Sequence, residues 1–403
     1  MRGKRTAIIL GAGASYCYDD GNGPLPLQKD IVGQLGGMFW SPGVEPGNFI
    51  GPAGLSYSRA IANVMQERYS IPADSSLEAN RLAFWDELRK RGESLESVYA
   101  DLERSLAPDQ QYLLDEFAAI LRTSVKFPIP SREPQNVCRH HRRLAEGLEP
   151  EDYIIDFNWD SLIADALFYC CPFWFPRTGF GYRRLGVIMR PGPKVFTVGS
   201  LVQLYHIHGS VLLYEMLEGG PESKGNGALF YLGPPGYTEI NSLQTLLGIS
   251  PDNQSPTKNP SEVESRAVGR GYLCCDGRWF GQSNDRWLKP IFVPPSMEKG
   301  EYRHEYHRHL RTALHTILPT TESFLVIGYS FPLADIDHLA KLFVPGVIRA
   351  NAEVMTVDPS GPDPAFQGRV RQAFPGIETF DFTNTDFRTF SAGLEVTEGQ
   401  IFP

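Results

Sequence analysis

The segment Ala7-Ile8-Ile9-Leu10-Gly11-Ala12-Gly13-Ala14-Ser15 constrains the fold more than any other in this chain. An apolar run that ends in Gly-x-Gly reads as a buried β-strand entering a tight turn. Such a turn lets backbone N–H groups approach a phosphate closely, and a helix starting there turns its positive end toward the same anion. The G-x-G-x-x-G fingerprint is incomplete, because Gly11 and Gly13 are present but position 16 is Tyr16. An ordinary tight βα turn is the plain alternative.

The same pattern returns along the chain. Tyr153–Phe157, Lys194–Val198, Leu204–Ile207, Pro290–Val293, Phe324–Ile327 and Glu353–Val357 read as strands, and helices are expected at Gln28–Met38, Leu162–Tyr169 and Tyr302–Ile317. Strands alternating with helices predict an α/β fold: a Rossmann-like parallel sheet with helices on both faces. Between them, residues 55–148 hold four segments with helical apolar spacing: Leu77–Leu88, Ser94–Glu103, Tyr112–Phe127 and Val137–Leu148. They predict an all-helical insertion at 55–148 within a sheet domain formed by 1–54 and 149–403. The basic cluster His140, His141, Arg142, Arg143 reads as a solvated helix face. Residues 212–288, rich in Gly, Pro, Ser and Asn, read as an irregular lid or insertion.

Composition narrows the class. A 42% hydrophobic, 21% charged chain of 403 residues is that of a soluble globular protein with a substantial core. A net charge of −9 argues against a dedicated nucleic-acid binder. No apolar run reaches transmembrane length, and the one behind the basic N-terminus is too short for a signal peptide, so a cytoplasmic location is expected. Cys17, Cys138, Cys170, Cys171, Cys274 and Cys275 lack the C-x-x-C spacing of a zinc site. They are expected to be reduced and mostly buried, with no metal.

Five motifs end predicted strands, where ligands lie in open α/β sheets. The glycine turn is the first. In Asp156-Phe157-Asn158-Trp159-Asp160, Asn158 suits a ribose hydroxyl or a positioned water, with a simple turn role left open. Asp160 suits a helix cap. In His206-Ile207-His208-Gly209-Ser210, the imidazole of His208 titrates near neutrality, and Gly209 admits a ligand closely. A His206/His208 metal pair lacks a third ligand in the local sequence. Gly328-Tyr329-Ser330-Phe331, then Asp335, resembles another phosphate or ribose site. Asp358 ends the last expected strand and suits an adenosine ribose or, equally, a turn before Pro359.

These motifs, with Pro294-Pro295 after a strand, resemble the sirtuin-like family in kind and in order, over residues 6 to about 360. The resemblance implies NAD+ as substrate and Asn158 with His208 as the catalytic pair. It implies an NAD site lined by Gly11, Ala12, Gly13, Ser15, Asp160, Gly209, Gly328, Tyr329, Ser330, Asp335 and Asp358. Deacylating sirtuins carry a zinc ribbon of two C-x-x-C pairs after the His-Gly, and this chain has only Cys274-Cys275 there. That departure and the helical insertion resemble the bacterial antiphage branch, which destroys NAD+. The expected activity is NAD+ glycohydrolysis, giving nicotinamide and ADP-ribose. An NAD-dependent protein deacylase and a non-catalytic NAD or ADP-ribose sensor are the alternatives. An unregulated NAD hydrolase would kill its host, so gating is expected, through a homo-oligomer or a partner resembling a HerA-type ATPase or short Argonaute. No membrane partner and no direct nucleic-acid binding are expected.

Overall fold

A computed structural model describes residues 4–18, 49–50, 56–57, 67–68, 87, 90–91, 95–107, 114, 137–176, 178–181, 185–188, 201–220, 223–232, 273–275, 286–292, 305–343, 348–349 and 351–394. The expected segments at 28–38, 77–88, 112–127 and 194–198 lie wholly or largely outside them. The chain divides into two compact units: Met1–Leu25, Arg132–Ser210 and Met297–Pro403 form the first, Pro26–Ser131 and Val211–Ser296 the second.

The first unit is a six-stranded sheet. Its strands are β1 (Thr6–Leu10), β2 (Tyr153–Asp156), β3 (Gln203–His206), β4 (Ser323–Ile327), β5 (Glu353–Asp358) and β6 (Thr379–Asn384). All pairings are parallel, and the order across the sheet is β3-β2-β1-β4-β5-β6. That is the doubly wound, Rossmann-like order, which reverses direction between β1 and β4. Every residue of β1 and β4 is buried, as expected of central parallel strands covered on both faces. β6 alternates exposed and half-buried residues because it is an edge.

The helices of this unit are α1 (Ala12–Ser15), α2 (Arg139–Glu146), α3 (Leu162–Cys170), α4 (Glu305–Ile317), α5 (Leu333–Leu342), α6 (Pro364–Ala373) and α7 (Phe387–Ala392). Leu162 through Phe168 are all buried, so α3 is enclosed on every side. α6 and α7 begin at Asp363 and Asp386, whose carboxylates accept from the N–H groups of Ala365 and Thr389. Aromatic rings fill one layer of the core: Phe374, fully buried, stacks on Phe343 at 4.6 Å and meets Phe324 at 5.1 Å and Phe331 at 6.1 Å.

Several expectations change. His140 and His141 are buried, not solvated. His140 Nδ1 lies 2.5 Å from Ser391 Oγ, and the His141 ring meets Phe387 edge-on at 5.3 Å. The covering element is α7, which the sequence reading did not anticipate; Arg142, paired with Glu146 at 2.7 Å, keeps the exposed face of α2. Residues 132–148 fall in the unit that holds the sheet, and 26–131 and 211–296 in the other.

In the second unit the helix Leu95–Ser105 buries Val98, Tyr99 and Leu102. Residues 212–288 are not wholly irregular. Gly209–Leu217 pairs antiparallel with Gly225–Leu232, and Leu273–Cys275 with Arg286–Phe292, Cys274 facing Trp287. The expected strand at Pro290–Val293 therefore belongs to this antiparallel set, not to the parallel sheet. Gly- and Pro-rich connections dominate the composition of this region and mask short apolar runs such as Val211–Tyr214. Among the described residues, no helix is long and apolar enough to cross a membrane.

Asp152 ties the start of β1 to the turn that leads into β2. Its two carboxylate oxygens accept from the N–H groups of Thr6 and Glu149, each at 2.9 Å. Burial outweighs these bonds and raises its pKa to about 6. A raised acid pKa means that the folded state holds the proton more tightly than the unfolded chain. Its stabilising contribution is therefore full below about pH 4 and is lost as pH rises through 6. The urea stability of the wild type relative to Asp152→Asn is expected to fall by on the order of 1–3 kcal/mol between pH 4 and 7. A pH-independent difference would overturn this assignment.

Candidate active site

The carboxyl ends of β1, β2, β3 and β4 bring the candidate residues onto one edge of the sheet. The glycine turn after β1 packs against the turn after β4. Gly11 N–H donates to Ile327 O at 3.1 Å, and Gly13 N–H to Gly328 O at 2.8 Å. Gly328 needs to be glycine, because its φ is +59°. Gly13 does too, because a Cβ there would sit 2.8 Å from Gly328 Cα. Ala14 N–H donates to Gly11 O at 2.9 Å. Three N–H groups of the turn are thus engaged internally, and Ala12 is its exposed residue.

Asn158 is locked onto this turn. Its Nδ2 donates to Gly11 O and to Ser15 Oγ, each at 3.0 Å, and its backbone N–H donates to Asp156 Oδ1 at 3.0 Å. Ser15 Oγ donates onward to Asp160 Oδ2 at 2.6 Å, while Asp160 Oδ1 accepts from Leu162 N–H at the head of α3. Both amide hydrogens of Asn158 are therefore spent, which fixes the flip of the amide. Among the described residues, its Oδ1 accepts no hydrogen bond. Asp160, one residue ahead of the α3 N-cap Ser161, accepts from the first N–H of that helix and also holds Ser15. It is fully enclosed, and burial, then the nearby charge of Asp156, raises its pKa.

His208 follows β3, next to Gly209 at φ +73°. Its Nε2 lies 3.6 Å from Asp335 Oδ1, and Tyr329 Oη donates to Asp335 Oδ2 at 2.6 Å. Phe157 sits between, edge-on to His208 at 5.2 Å and stacked on Tyr329 at 4.5 Å. Phe331, at φ +51°, continues this aromatic row from Tyr329 at 4.9 Å. His206 goes elsewhere: its Nδ1 is 3.1 Å from Asp156 Oδ2, both side chains fully buried. The two histidines thus face different carboxylates.

Ser330 is exposed, and its carbonyl accepts from Arg369 Nε at 3.3 Å. Asp358 Oδ1 accepts from Ser360 N–H at 2.7 Å, so one of its oxygens serves the turn. Asp156 is the residue that sequence reasoning passed over. An acid ending the otherwise apolar Tyr153-Ile154-Ile155 was the available signal.

No family model matches the chain, and no curated protein matches it. Solved structures do. Sir2Tm bound to a propionylated peptide is 12% identical, covers 96% of this chain and 90% of its own, and gives a TM-score of 0.35. A structure described as the structural basis of sirtuin substrate affinity is 15% identical over 98% of this chain and 94% of its own, with a TM-score of 0.35. A Sir2 variant with a deacetylated p53 peptide and 3′-O-acetyl ADP ribose is 15% identical over 96% and 91%, with a TM-score of 0.32. Superpositions this loose transfer no residue and no activity to this chain.

Proposed function

We propose that this chain is an NAD+ glycohydrolase that cleaves NAD+ to nicotinamide and ADP-ribose. The observation that carries the reading is the locked amide of Asn158. With both Nδ2 hydrogens donated to Gly11 and Ser15, the amide offers Oδ1 as an acceptor at the edge where open α/β sheets hold their ligands. An acceptor there suits a ribose hydroxyl or the hydrogen of an attacking water. The order of the sirtuin-like motifs supports the same reading.

The chemistry asks little of the protein. Nicotinamide leaves as a neutral ring from a cationic precursor, so no general acid is needed. The ribose passes through an oxocarbenium-like state, and water supplies the new C–O bond while releasing a proton. Asn158 would position the ribose or that water. His208, backed by Asp335, would hydrogen-bond a ribose hydroxyl or take the proton. The pyrophosphate is expected near Ala12, over the Gly13–Gly328 contact, and the adenosine ribose toward Asp358. Ser15 and Asp160 act through Asn158, and Tyr329 through Asp335, as positioning residues. Gating by self-assembly, or by a HerA-type ATPase or short Argonaute, belongs to this proposal.

The test is incubation of purified protein with NAD+, resolving nicotinamide and ADP-ribose by chromatography. Asn158→Ala is expected to slow nicotinamide release by roughly 10²-fold or more, because water or ribose loses its acceptor and the glycine turn loses two bonds. Release at the parental rate by a folded Asn158→Ala protein would refute the role. Nicotinamide release that requires an acylated peptide would replace hydrolysis by deacylation. Calorimetric binding of NAD+ without product would replace both by sensing.

A further inference from the structure

Three side chains that the proposed chemistry does not use converge just past the glycine turn. Cys17 Sγ lies 3.9 Å from Cys138 Sγ, and Cys138 Sγ lies 3.2 Å from His141 Nδ1. One donor atom from each residue lies within 4.8 Å of the other two. All three residues are buried. Cys138 immediately precedes α2 and His141 sits in its first turn, so the i, i+3 spacing turns both toward Cys17.

The Cys17–Cys138 and Cys138–His141 spacings are close to the ligand edges around a zinc ion. Tetrahedral zinc, with Zn–S near 2.3 Å and Zn–N near 2.0–2.1 Å, sets an S···S edge of about 3.8 Å and an S···N edge of about 3.5 Å. The charges balance as well: two thiolates, a neutral imidazole and a divalent cation sum to zero, which is what a buried site requires. We propose that Cys17, Cys138 and His141 bind one thiophilic divalent cation of the zinc class. Binding expels two thiol protons, one of them the proton that Cys17 now shares with Ala14 O at 2.9 Å. The side-chain oxygens of Asp160 already accept from Ser15 and Leu162, so Asp160 is not counted among the ligands. The cation would tie the segment after α1 to the head of α2, a role in structure rather than in bond cleavage. No ribbon of C-x-x-C pairs is involved, and a separation of about 120 residues hides the group from any local spacing search.

The experiment uses the full chain, purified without chelator from zinc-supplemented cells, with metal measured by plasma mass spectrometry. About one zinc per chain is expected, falling below a tenth in Cys138→Ser and in Cys17→Ser, and unchanged in Cys274→Ser. To separate ligand loss from misfolding, the wild-type protein is stripped under reducing conditions and titrated with Co2+. Near-ultraviolet thiolate-to-cobalt absorption and tetrahedral visible bands should saturate at one equivalent. Absence of both stoichiometric zinc and the cobalt–thiolate bands in the wild type would overturn the site. So would a Cys17–Cys138 disulfide found by mass mapping as the state of the freshly purified protein.

Discussion

A His208→Ala protein is expected to release nicotinamide from NAD+ roughly 10²- to 10⁴-fold more slowly than the parent, the range that one positioned acid–base group contributes. The imidazole is held from three directions: by the edge of Phe157, by Asp335 at 3.6 Å, and through Tyr329, whose hydroxyl fixes the far oxygen of that carboxylate. Alanine removes the ring proposed to hold a ribose hydroxyl or to take the proton. Asp335→Asn should fall between the two, because it keeps the shape while weakening the preference for one ring orientation. Circular dichroism must first show an unchanged fold. Parental turnover by a folded His208→Ala protein would remove His208 from the mechanism and leave Asn158 to position water unaided.

Phe374→Ala should cost about 3–5 kcal/mol of stability, the usual range for a large ring deleted from a closed core. Phe374 is fully buried and touches Phe324, Phe331 and Phe343, rings from three other elements or connections. The resulting cavity opens at one end of a continuous row, Phe374–Phe331–Tyr329–Phe157–His208, whose successive centroids lie 4.5–6.1 Å apart. The urea midpoint should drop in Phe374→Ala and drop less in Phe374→Leu, with nicotinamide release following the same order. Unaltered stability in the alanine variant would mean that this layer collapses without loss.

The sheet was legible because its central strands are continuous apolar runs ending in glycine or in Asx residues. β1, β2, β3, β4 and β5 coincide closely with segments read from the sequence alone. β6 was missed because Thr379-Phe380-Asp381-Phe382 alternates in the manner of an edge and lacks such a run. The Asp363-Pro364 and Asp386 caps announce α6 and α7, yet short helices leave little periodicity to read. At the site, residue types could be named, but their division of labour could not. Nothing local says that the amide hydrogens of Asn158 end on Gly11 and Ser15, or that Asp335 faces His208. Those partners lie more than 120 residues away. The burial of His140 and His141 was hidden for the same reason, since it depends on α7 about 250 residues downstream.

The register Thr6↔Ser323 has a consequence for biosynthesis. β1 leaves the ribosome more than 300 residues ahead of its β4 partner. At about 5–20 residues per second, that is a wait of about 15–60 s. Through that interval one flank of a strand that ends up wholly buried has no ladder, which makes the nascent chain a natural client for a holding chaperone. The wait also sets a clock on competence. Gly13 and Gly328 close one turn pair across more than 300 residues, so a chain that stops short of β4 can still pair β1 with β2 and β2 with β3 but lacks the Gly13–Gly328 contact.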